Sequence, residues 1–327
     1  MAKNDSHISK YQSWIESAIQ KQKYGGEPKS LYEPIHYIMS LGGKRVRPML
    51  ILMAYHLFKK NPKKIVDYAI AIELFHCFTL VHDDILDKAT MRRGKLSVHE
   101  KWNANTALLA GDVMLIKVFE YFSDLKSKKL NQVIAMLTSC ASNICEGQQL
   151  DMEFENIMNI SEKQYLTMIE KKTASLLGFC LQLGATLAGA SKKYCLLLQR
   201  VGIYLGIGFQ LKDDLLDVYA DYNKLGKHIG NDIVSNKKTF LLIQAMKLAK
   251  GKDKIELNKW LNSTKFDKQK KIVAVMAIYD RLGLGKMTQK KATSFFSKAI
   301  NELKLFPPQL NTAPLISFAQ EFADRER

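Results

Sequence analysis

Two stretches of this chain are apolar on nearly every side and yet run into the same acidic pattern. Residues 75–86 lead into Asp83-Asp84-Ile85-Leu86-Asp87, and residues 201–216 into Asp213-Asp214-Leu215-Leu216-Asp217. Around them apolar residues recur at intervals of three and four, while strand-like alternation is scarce. Segments 173–187 and 195–210 are apolar almost all round, as helices are when they are buried on more than one side. A chain of this kind is expected to form a single all-α domain over residues 1–327, with central helices enclosing a cavity, rather than a small four-helix bundle. Helices are predicted at approximately 6–23, 28–40, 46–59, 62–87, 97–102, 104–123, 127–155, 161–189, 190–219, 235–249, 253–262, 266–283, 286–300 and 312–324. Glycine or proline breaks the pattern at Gly25-Gly26, Gly42-Gly43, Asn61-Pro62, Arg93-Gly94, Gly226 and Pro307-Pro308. Ser161 with Glu162, and Asn61 before Pro62, read as helix starts.

Residues four apart share a helix face, so Asp83 points with Asp87 and Asp213 with Asp217. Carboxylates desolvated at the end of an apolar helix are costly without a positive partner. Mg²⁺ suits that role, because it binds through one or two carboxylates and completes its shell with water and substrate phosphates. Two facing clusters would clamp one polyphosphate group. A lone D-D-x-x-D can equally mark a solvated helix end. The second copy in an equally apolar setting, with basic residues near both, favours metal sites.

The formal net charge is +17, which admits a nucleic acid, an anionic membrane surface or an acidic small substrate as partner. Most of the lysines are scattered in surface-type pairs such as Lys59-Lys60 and Lys192-Lys193, without a basic stripe interleaved with aromatics. No nucleic-acid partner is therefore expected. Cys77, Cys140, Cys145, Cys180 and Cys195 lie in apolar helical surroundings without C-x-x-C spacing, and read as reduced, buried small residues. The polar N-terminus lacks the apolar core of a signal peptide. No uninterrupted apolar run reaches the roughly 18 residues of a membrane span. A cytoplasmic protein without stable membrane insertion is the expectation.

Basic residues cluster near the acidic ends. Gly42-Gly43-Lys44-Arg45-Val46-Arg47-Pro48 places three cations at a helix start, where an anion would gain from guanidinium forks, backbone N–H groups and the helix dipole. Thr90-Met91-Arg92-Arg93-Gly94 follows the first acidic cluster; its arginines could neutralise the aspartates or hold phosphate oxygens, and as neighbours they should diverge towards two anions. His76 lies two helical turns before Asp83 on the same face, either as a satisfied core group or as a ligand. Phe209-Gln210 precedes the second cluster, Gly226-Lys227-His228-Ile229-Gly230-Asn231-Asp232 and Lys237-Lys238-Thr239 follow it, and Lys172-Thr173 opens another apolar helix. Metal-seeking carboxylates beside several cations and a large apolar cavity describe a site for a diphosphate head with a hydrocarbon tail.

From about residue 31 to residue 242 the chain closely resembles the trans-isoprenyl diphosphate synthases, or polyprenyl synthetases. The motifs G-G-K-R-x-R-P, H-x-x-x-x-x-H-D-D-x-x-D, R-R-G, G-D-x-x-L, E-G-Q-x-x-D, K-T-A, F-Q-x-x-D-D-x-x-D, G-K-x-x-G-x-D and K-x-T occur in the family's order. The resemblance implies an isoprenoid synthase-type helical bundle around a deep central cavity, working as a homodimer. It implies condensation of isopentenyl diphosphate with an allylic diphosphate (dimethylallyl, geranyl or farnesyl) and release of diphosphate. Asp83 and Asp87 would ligate two Mg²⁺ ions and Asp213 a third, with Asp84, Asp214 and Asp217 supporting; Mn²⁺ is the alternative metal. Arg92, Lys172, Gln210, Lys227 and Lys237 would hold the allylic diphosphate, and Lys44, Arg47, His76 and Arg93 the isopentenyl one. Thr173 and Gln210 would face the reacting carbons. The chain departs from the family at Asn236, where glycine is common, and in its lysine-rich tail after about residue 250.

Product length on this reading is set by Phe75, Phe78 and Thr79, one and two turns before Asp83. An aromatic at Phe78, a small Thr79 and no insertion between Asp83 and Asp87 favour a C20 product, geranylgeranyl diphosphate; Phe75 on the same face would stop growth at C15, farnesyl diphosphate. A terpene cyclase would lack the second aspartate cluster and the G-G-K-R-x-R-P and R-R-G segments, and a non-catalytic subunit would have lost aspartates. All six aspartates are present.

Overall fold

Glycine, proline and the three-four apolar pattern divide the chain into helices much as the sequence predicts. The computed structural model describes residues 2–219 and 230–324. In chain order the helices are α1 (Ala2–Lys21), α2 (Lys29–Ser40), α3 (Val46–His56), α4 (Val66–Leu86), α5 (Val98–Lys101), α6 (Ala104–Phe122), α7 (Ser127–Glu155), α8 (Glu162–Ile169), α9 (Ser175–Ala188), α10 (Lys192–Tyr219), α11 (Asn231–Val234), α12 (Phe240–Leu248), α13 (Gly251–Asn262), α14 (Lys268–Arg281), α15 (Leu284–Leu303) and α16 (Ala313–Asp324). As expected, Ser161 caps α8 and Glu162 begins it; the cap is reciprocal, with Gln164 as its partner. Asn61-Pro62 opens a short 3₁₀ turn, Pro62–Ile65, ahead of α4.

Three local features depart from the helical pattern. Met91–Arg92 (β1) pairs antiparallel with Lys95–Leu96 (β2), and Arg93 and Gly94 between them both have positive φ, 52° and 74°. A two-residue loop with φ > 0 at both positions matches the right-handed twist of a hairpin. The expected helix 161–189 is interrupted by a π turn at Glu170–Ala174. The expected helix 235–249 forms only as α12; residues 235–239 are a turn and an irregular stretch that follow α11. Asn236 there takes φ 56°, which ends a helix, and the Thr239 side chain then caps α12 by accepting from the Leu242 N–H.

Residues Met1–Thr138, Phe179–Leu198 and Pro308–Pro314 form one compact unit. Its core is α4, in which every residue from Ala69 to Cys77 is buried. Gly111 on α6 admits His82: a Cβ there would lie 2.2 Å from His82 Nε2. Gly184 likewise lets its helix approach α3, where a Cβ would sit 2.2 Å from the Ile51 carbonyl oxygen.

Residues Ser139–Gly178, Gln199–Pro307 and Leu315–Arg327 form the other unit. Its apolar cluster includes Val218, Ile233, Leu241, Leu242, Leu257, Ile272, Val275, Ile278 and Tyr279, each large side chain contributing roughly 1.5–3 kcal/mol by burial. The lysine-rich tail is thus part of a core, and Phe322 of α16 stacks on Phe209 of α10 at 5.2 Å.

Helices Pro62–Leu86 and Lys192–Tyr219, which carry the aspartates, are long and apolar enough by length and composition to cross a membrane, yet 67% and 56% of their most apolar windows are buried in the protein. Four cysteines are buried, but Cys145 is exposed, contrary to expectation. It shares the outer face of α7 with Ser142 and Gln149, which are exposed as well.

Candidate active site

In the first unit, α4 delivers Asp83 and Asp84 in its last turn and Asp87 at its C-cap. Asp84 is fully buried and is gripped by Arg92 from β1, whose Nε lies 3.0 and 3.1 Å from the two carboxylate oxygens and whose Nη2 adds a third short contact. Arg92 Nη2 also stands 3.9 Å from Asp83. Burial nevertheless pushes the Asp84 carboxyl up, against the pull of Arg92. Asp83 is half-buried and Asp87 exposed, so their oxygens are the accessible pair.

The hairpin turn sends Arg93 the other way, as its divergence from Arg92 requires. Arg93 Nη1 donates to the Gly42 carbonyl. A side chain at Gly43, where φ is 128°, would meet the Arg93 guanidinium at 2.9 Å. The two glycines therefore bring the Lys44–Arg47 turn against Arg93, a meeting of motifs about fifty residues apart in the chain.

The three cations of that turn do different work. Arg45, with φ 47°, is buried and paired at 2.8 Å with both Glu16 and Glu73. It anchors the turn and faces no ligand. Lys44 is exposed. Arg47 Nε is buried with no hydrogen-bond partner, and burial pulls its pKa down. A guanidinium left in that state favours an incoming anion. His76 is buried and held neutral, by desolvation first and then by Arg47, Arg93, Arg92 and Arg45. It can donate an N–H without adding charge.

Below Asp83 on α4 lie the residues expected to limit the product. Phe75 is buried and Phe78 half-buried, their rings 5.7 Å apart. Phe78 also meets His82 edge-on at 4.8 Å, and the Thr79 hydroxyl donates to the His76 carbonyl at 2.8 Å.

In the second unit, α10 carries Gln210, Asp213, Asp214 and Asp217. Lys172 and Thr173 sit in the π turn, a bulge that re-aims side chains and recurs at functional sites. Glycines make the turn packable. A Cβ at Gly147 would lie 2.2 Å from Lys172 N, and one at Gly206 would lie 2.4 Å from Ala174 Cα. Lys172 pairs with Asp151 at 2.6 Å, so the glycine and aspartate of E-G-Q-x-x-D serve the K-T-A motif.

A polar chain then runs through the site. Thr173 Oγ1 donates to Gln210 Oε1 at 3.0 Å, Gln210 Nε2 donates to Asp214 Oδ1 at 3.0 Å, and Tyr165 OH donates to Asp214 Oδ2 at 2.5 Å. Asp217 accepts from the Asp232 N–H at 3.0 Å, and Lys237 Nζ lies 3.8 Å from Asp232. Burial and then the charge of Asp232 push Asp214 up to about 7 and Asp217 up to about 6; Asp232 is raised as well, chiefly by burial. These carboxylates have less positive charge around them than they need. A cavity of about 30 Å³ opens beside Asp214, lined also by Asp151, Lys172, Thr173, Gln210 and Lys237. Lys227 lies outside the described residues.

Among the described residues, no three His, Cys, Asp or Glu side chains gather closely enough to hold a metal alone.

The family model described as Polyprenyl synthetase matches residues 28–279. The chain belongs to the polyprenyl synthetase family. Its curated relatives include a geranylgeranyl diphosphate synthase of Methanosarcina mazei, 39% identical over 73% of this chain and 74% of that protein. Another is a short chain isoprenyl diphosphate synthase of Methanothermobacter thermautotrophicus, 32% identical over 98% of each chain. Among solved structures, a crystal structure of a geranylgeranyl pyrophosphate synthase superposes with a TM-score of 0.91 at 36% identity, covering 98% of this chain and 99% of that one. As a polyprenyl synthetase the protein is a prenyltransferase with an all-α fold. Sequence reasoning missed Tyr165, Asp151 and Asp232 as site residues. The last two were visible as the final aspartates of E-G-Q-x-x-D and G-K-x-x-G-x-D; Tyr165 carried no local signal.

Proposed function

We propose that this polyprenyl synthetase condenses isopentenyl diphosphate with an allylic diphosphate to give geranylgeranyl diphosphate, the whole chain acting as one prenyltransferase domain. The observation that carries the reading is the coexistence of two sets that a diphosphate would complete: the half-buried Arg47, its Nε buried and unsatisfied, with Arg93 and neutral His76, and Lys172 and Lys237 beside carboxylates that a metal-bound diphosphate would relieve. One set per diphosphate is what a two-substrate condensation needs. Asp83 and Asp87, and Asp213 with Asp217 in support, would hold Mg²⁺ (Mn²⁺ being the alternative), and the raised carboxyls of the second cluster fit a group that a cation relieves. When bound, the metal offsets the negative charge that builds on the departing diphosphate.

The chain's own residues do the rest. Arg92, Lys172, Lys227 and Lys237 bind the allylic diphosphate, so the C1–O bond breaks with both electrons passing to an oxygen already surrounded by cations. Lys44, Arg47, Arg93 and His76 orient isopentenyl diphosphate so that its double bond attacks the allylic C1. Thr173 commits its proton to Gln210, and Gln210 its amide to Asp214, which leaves oxygen dipoles for the allylic cation. The proton lost from the adduct passes to the released diphosphate. Apolar walls around Phe75 and Phe78 exclude the water that would quench the cation.

Product length is governed by α4. Phe78 stands five residues, or about 7.5 Å along the axis, before Asp83, and Thr79 is too small to close the path above it. The relatives named for geranylgeranyl diphosphate agree with C20. Buried Phe75 on the same helix favours C15 as the second reading. Incubation with isopentenyl diphosphate and each allylic primer in turn, with product length read by mass spectrometry, tests this: C20 is expected, and a C30 or longer product refutes it.

A homodimer is supported by the outer face of α6, where Leu108, Leu109, Ile116 and Phe119 are 42%, 59%, 58% and 38% exposed. Apolar area of that extent calls for a partner surface. A cytoplasmic location accords with the burial of both long apolar helices.

A further inference from the structure

Lys271, on α14, is fully buried, which is unusual for a lysine. Its Nζ donates to Asn236 Oδ1 at 2.7 Å and to the Val234 carbonyl at 3.1 Å, and it lies 4.2 Å from the centre of the Phe266 ring. The Val234 carbonyl is among those left over at the C-terminal end of α11, where a cation is favoured. Asn236 is itself held from its other side, its Nδ2 donating to the Leu261 carbonyl at 3.1 Å. The residue so clamped has φ 56°, a left-handed conformation that side-chain-bearing residues other than Asn and Asp rarely adopt.

Directly after that turn comes Lys237, a cation of the second site. The Lys237 N–H donates to the Asp232 carbonyl at 2.9 Å, and the Thr239 N–H to the Lys237 carbonyl at 2.8 Å. Asp232 in turn donates its N–H to Asp217. Hydrogen bonds thus link Asp217, Asp232, Lys237 and Thr239 into one strap, and Asn236 is where its direction is set.

We propose that Lys271 is a positioning residue: by clamping the left-handed turn at Asn236 it fixes the direction in which Lys237 is offered to the allylic diphosphate. The lysine-rich tail thereby acquires a role in substrate binding through one buried lysine. The inference rests on the assignment of Lys237 to the allylic diphosphate under Proposed function.

The test compares wild type, Lys271→Met, Asn236→Gly and the double variant. Both KM values and kcat are measured, together with calorimetric binding of inorganic diphosphate in the presence of Mg²⁺. Lys271→Met should raise the allylic KM and weaken diphosphate binding about tenfold, the scale of one charge-assisted hydrogen bond, while the isopentenyl KM stays within about twofold. In the Asn236→Gly background the same change should cost about twofold at most, because glycine adopts the turn unaided and offers no Oδ1 to clamp. A lysine that merely ties two helices together would lower the melting temperature with both KM values unmoved, or raise both alike, and either result overturns the proposal. So does full additivity of the two substitutions. If Lys271→Met does not fold, Lys271→Gln, which keeps one donor, replaces it and should show a smaller shift in the same direction; an unchanged allylic KM in that variant overturns the proposal. A wild type that makes no prenyl product would refute the assigned function instead, and diphosphate binding would still decide the role of Lys271.

Discussion

The two acidic helix ends share a spacing but differ in how their charge is balanced. At the first, Asp84 is buried under a multidentate arginine, and the same unit holds Arg45, salt-bridged, and Arg47, its Nε unsatisfied. At the second, Asp214 and Asp217 are met by a tyrosine hydroxyl, a glutamine amide and a backbone N–H, with Asp232 adding negative charge. At the first end an arginine of the chain offsets Asp84 and leaves the more exposed Asp83 and Asp87 open to a cation; at the second the grip on Asp214 comes from the uncharged donors Tyr165 and Gln210. One motif can therefore serve two purposes: an arginine-backed platform ready for an anion, and a carboxylate set that is completed only when metal and diphosphate arrive together.

The largest expected effect removes either carboxylate proposed to hold metal. Asp83→Asn and Asp213→Asn should each lower kcat/KM by about 10³-fold or more, measured by initial rates at saturating Mg²⁺. If only one of them does, the two ends are not both required and the comparison fails. Next come the cations. Arg47→Ala should raise the KM for isopentenyl diphosphate about tenfold or more, and Lys237→Ala that for the allylic substrate, each leaving the other within about twofold. An exchanged pattern would swap the assignment of the two diphosphates.

The third effect is a pH dependence at the second end. A carboxyl raised to about 6 in the fold, as at Asp217, costs nothing below its unfolded value of about 4. The cost appears as pH rises from that value towards 6 and is full above it. Asp217→Asn should therefore stabilise the metal-free protein at pH 8 by on the order of 1 kcal/mol, allowing for solvent screening of a half-buried group, and should show no gain at pH 4. Thermal melts at the two pH values decide it. Metal affinity should weaken as pH falls from 7 to 5, because binding displaces those protons. The smallest change in rate is expected for Phe78→Ala, which should lengthen the product; an unchanged chain length would move the floor to Phe75.

The helices and both acidic ends were legible because each is written in local periodicity and short spacings. The motif order also carried the family, and with it Lys172, Thr173 and Gln210. What was illegible depends on partners far away in the chain. Arg45 looks like a third anion ligand in sequence and is a buried strut because Glu16 and Glu73 reach it from two other helices. The Arg93-Gly94 hairpin hides in only six residues. The π turn at Lys172 is shaped by Gly147 and Gly206 on different helices, and no periodicity within 161–189 announces it. The expected helix over 235–249 fails at residues 235–239, around Asn236, whose left-handed turn is held by Lys271 and Leu261.

The most direct test of the contrast between the two ends is a count of divalent ions bound per chain, by calorimetry with Mg²⁺ in the presence and absence of an unreactive allylic thiodiphosphate. The account predicts weak binding without the diphosphate and tight, diphosphate-dependent uptake with it, lost in Asp83→Asn and in Asp213→Asn alike. Tight binding without diphosphate, or uptake that survives either substitution, would contradict it.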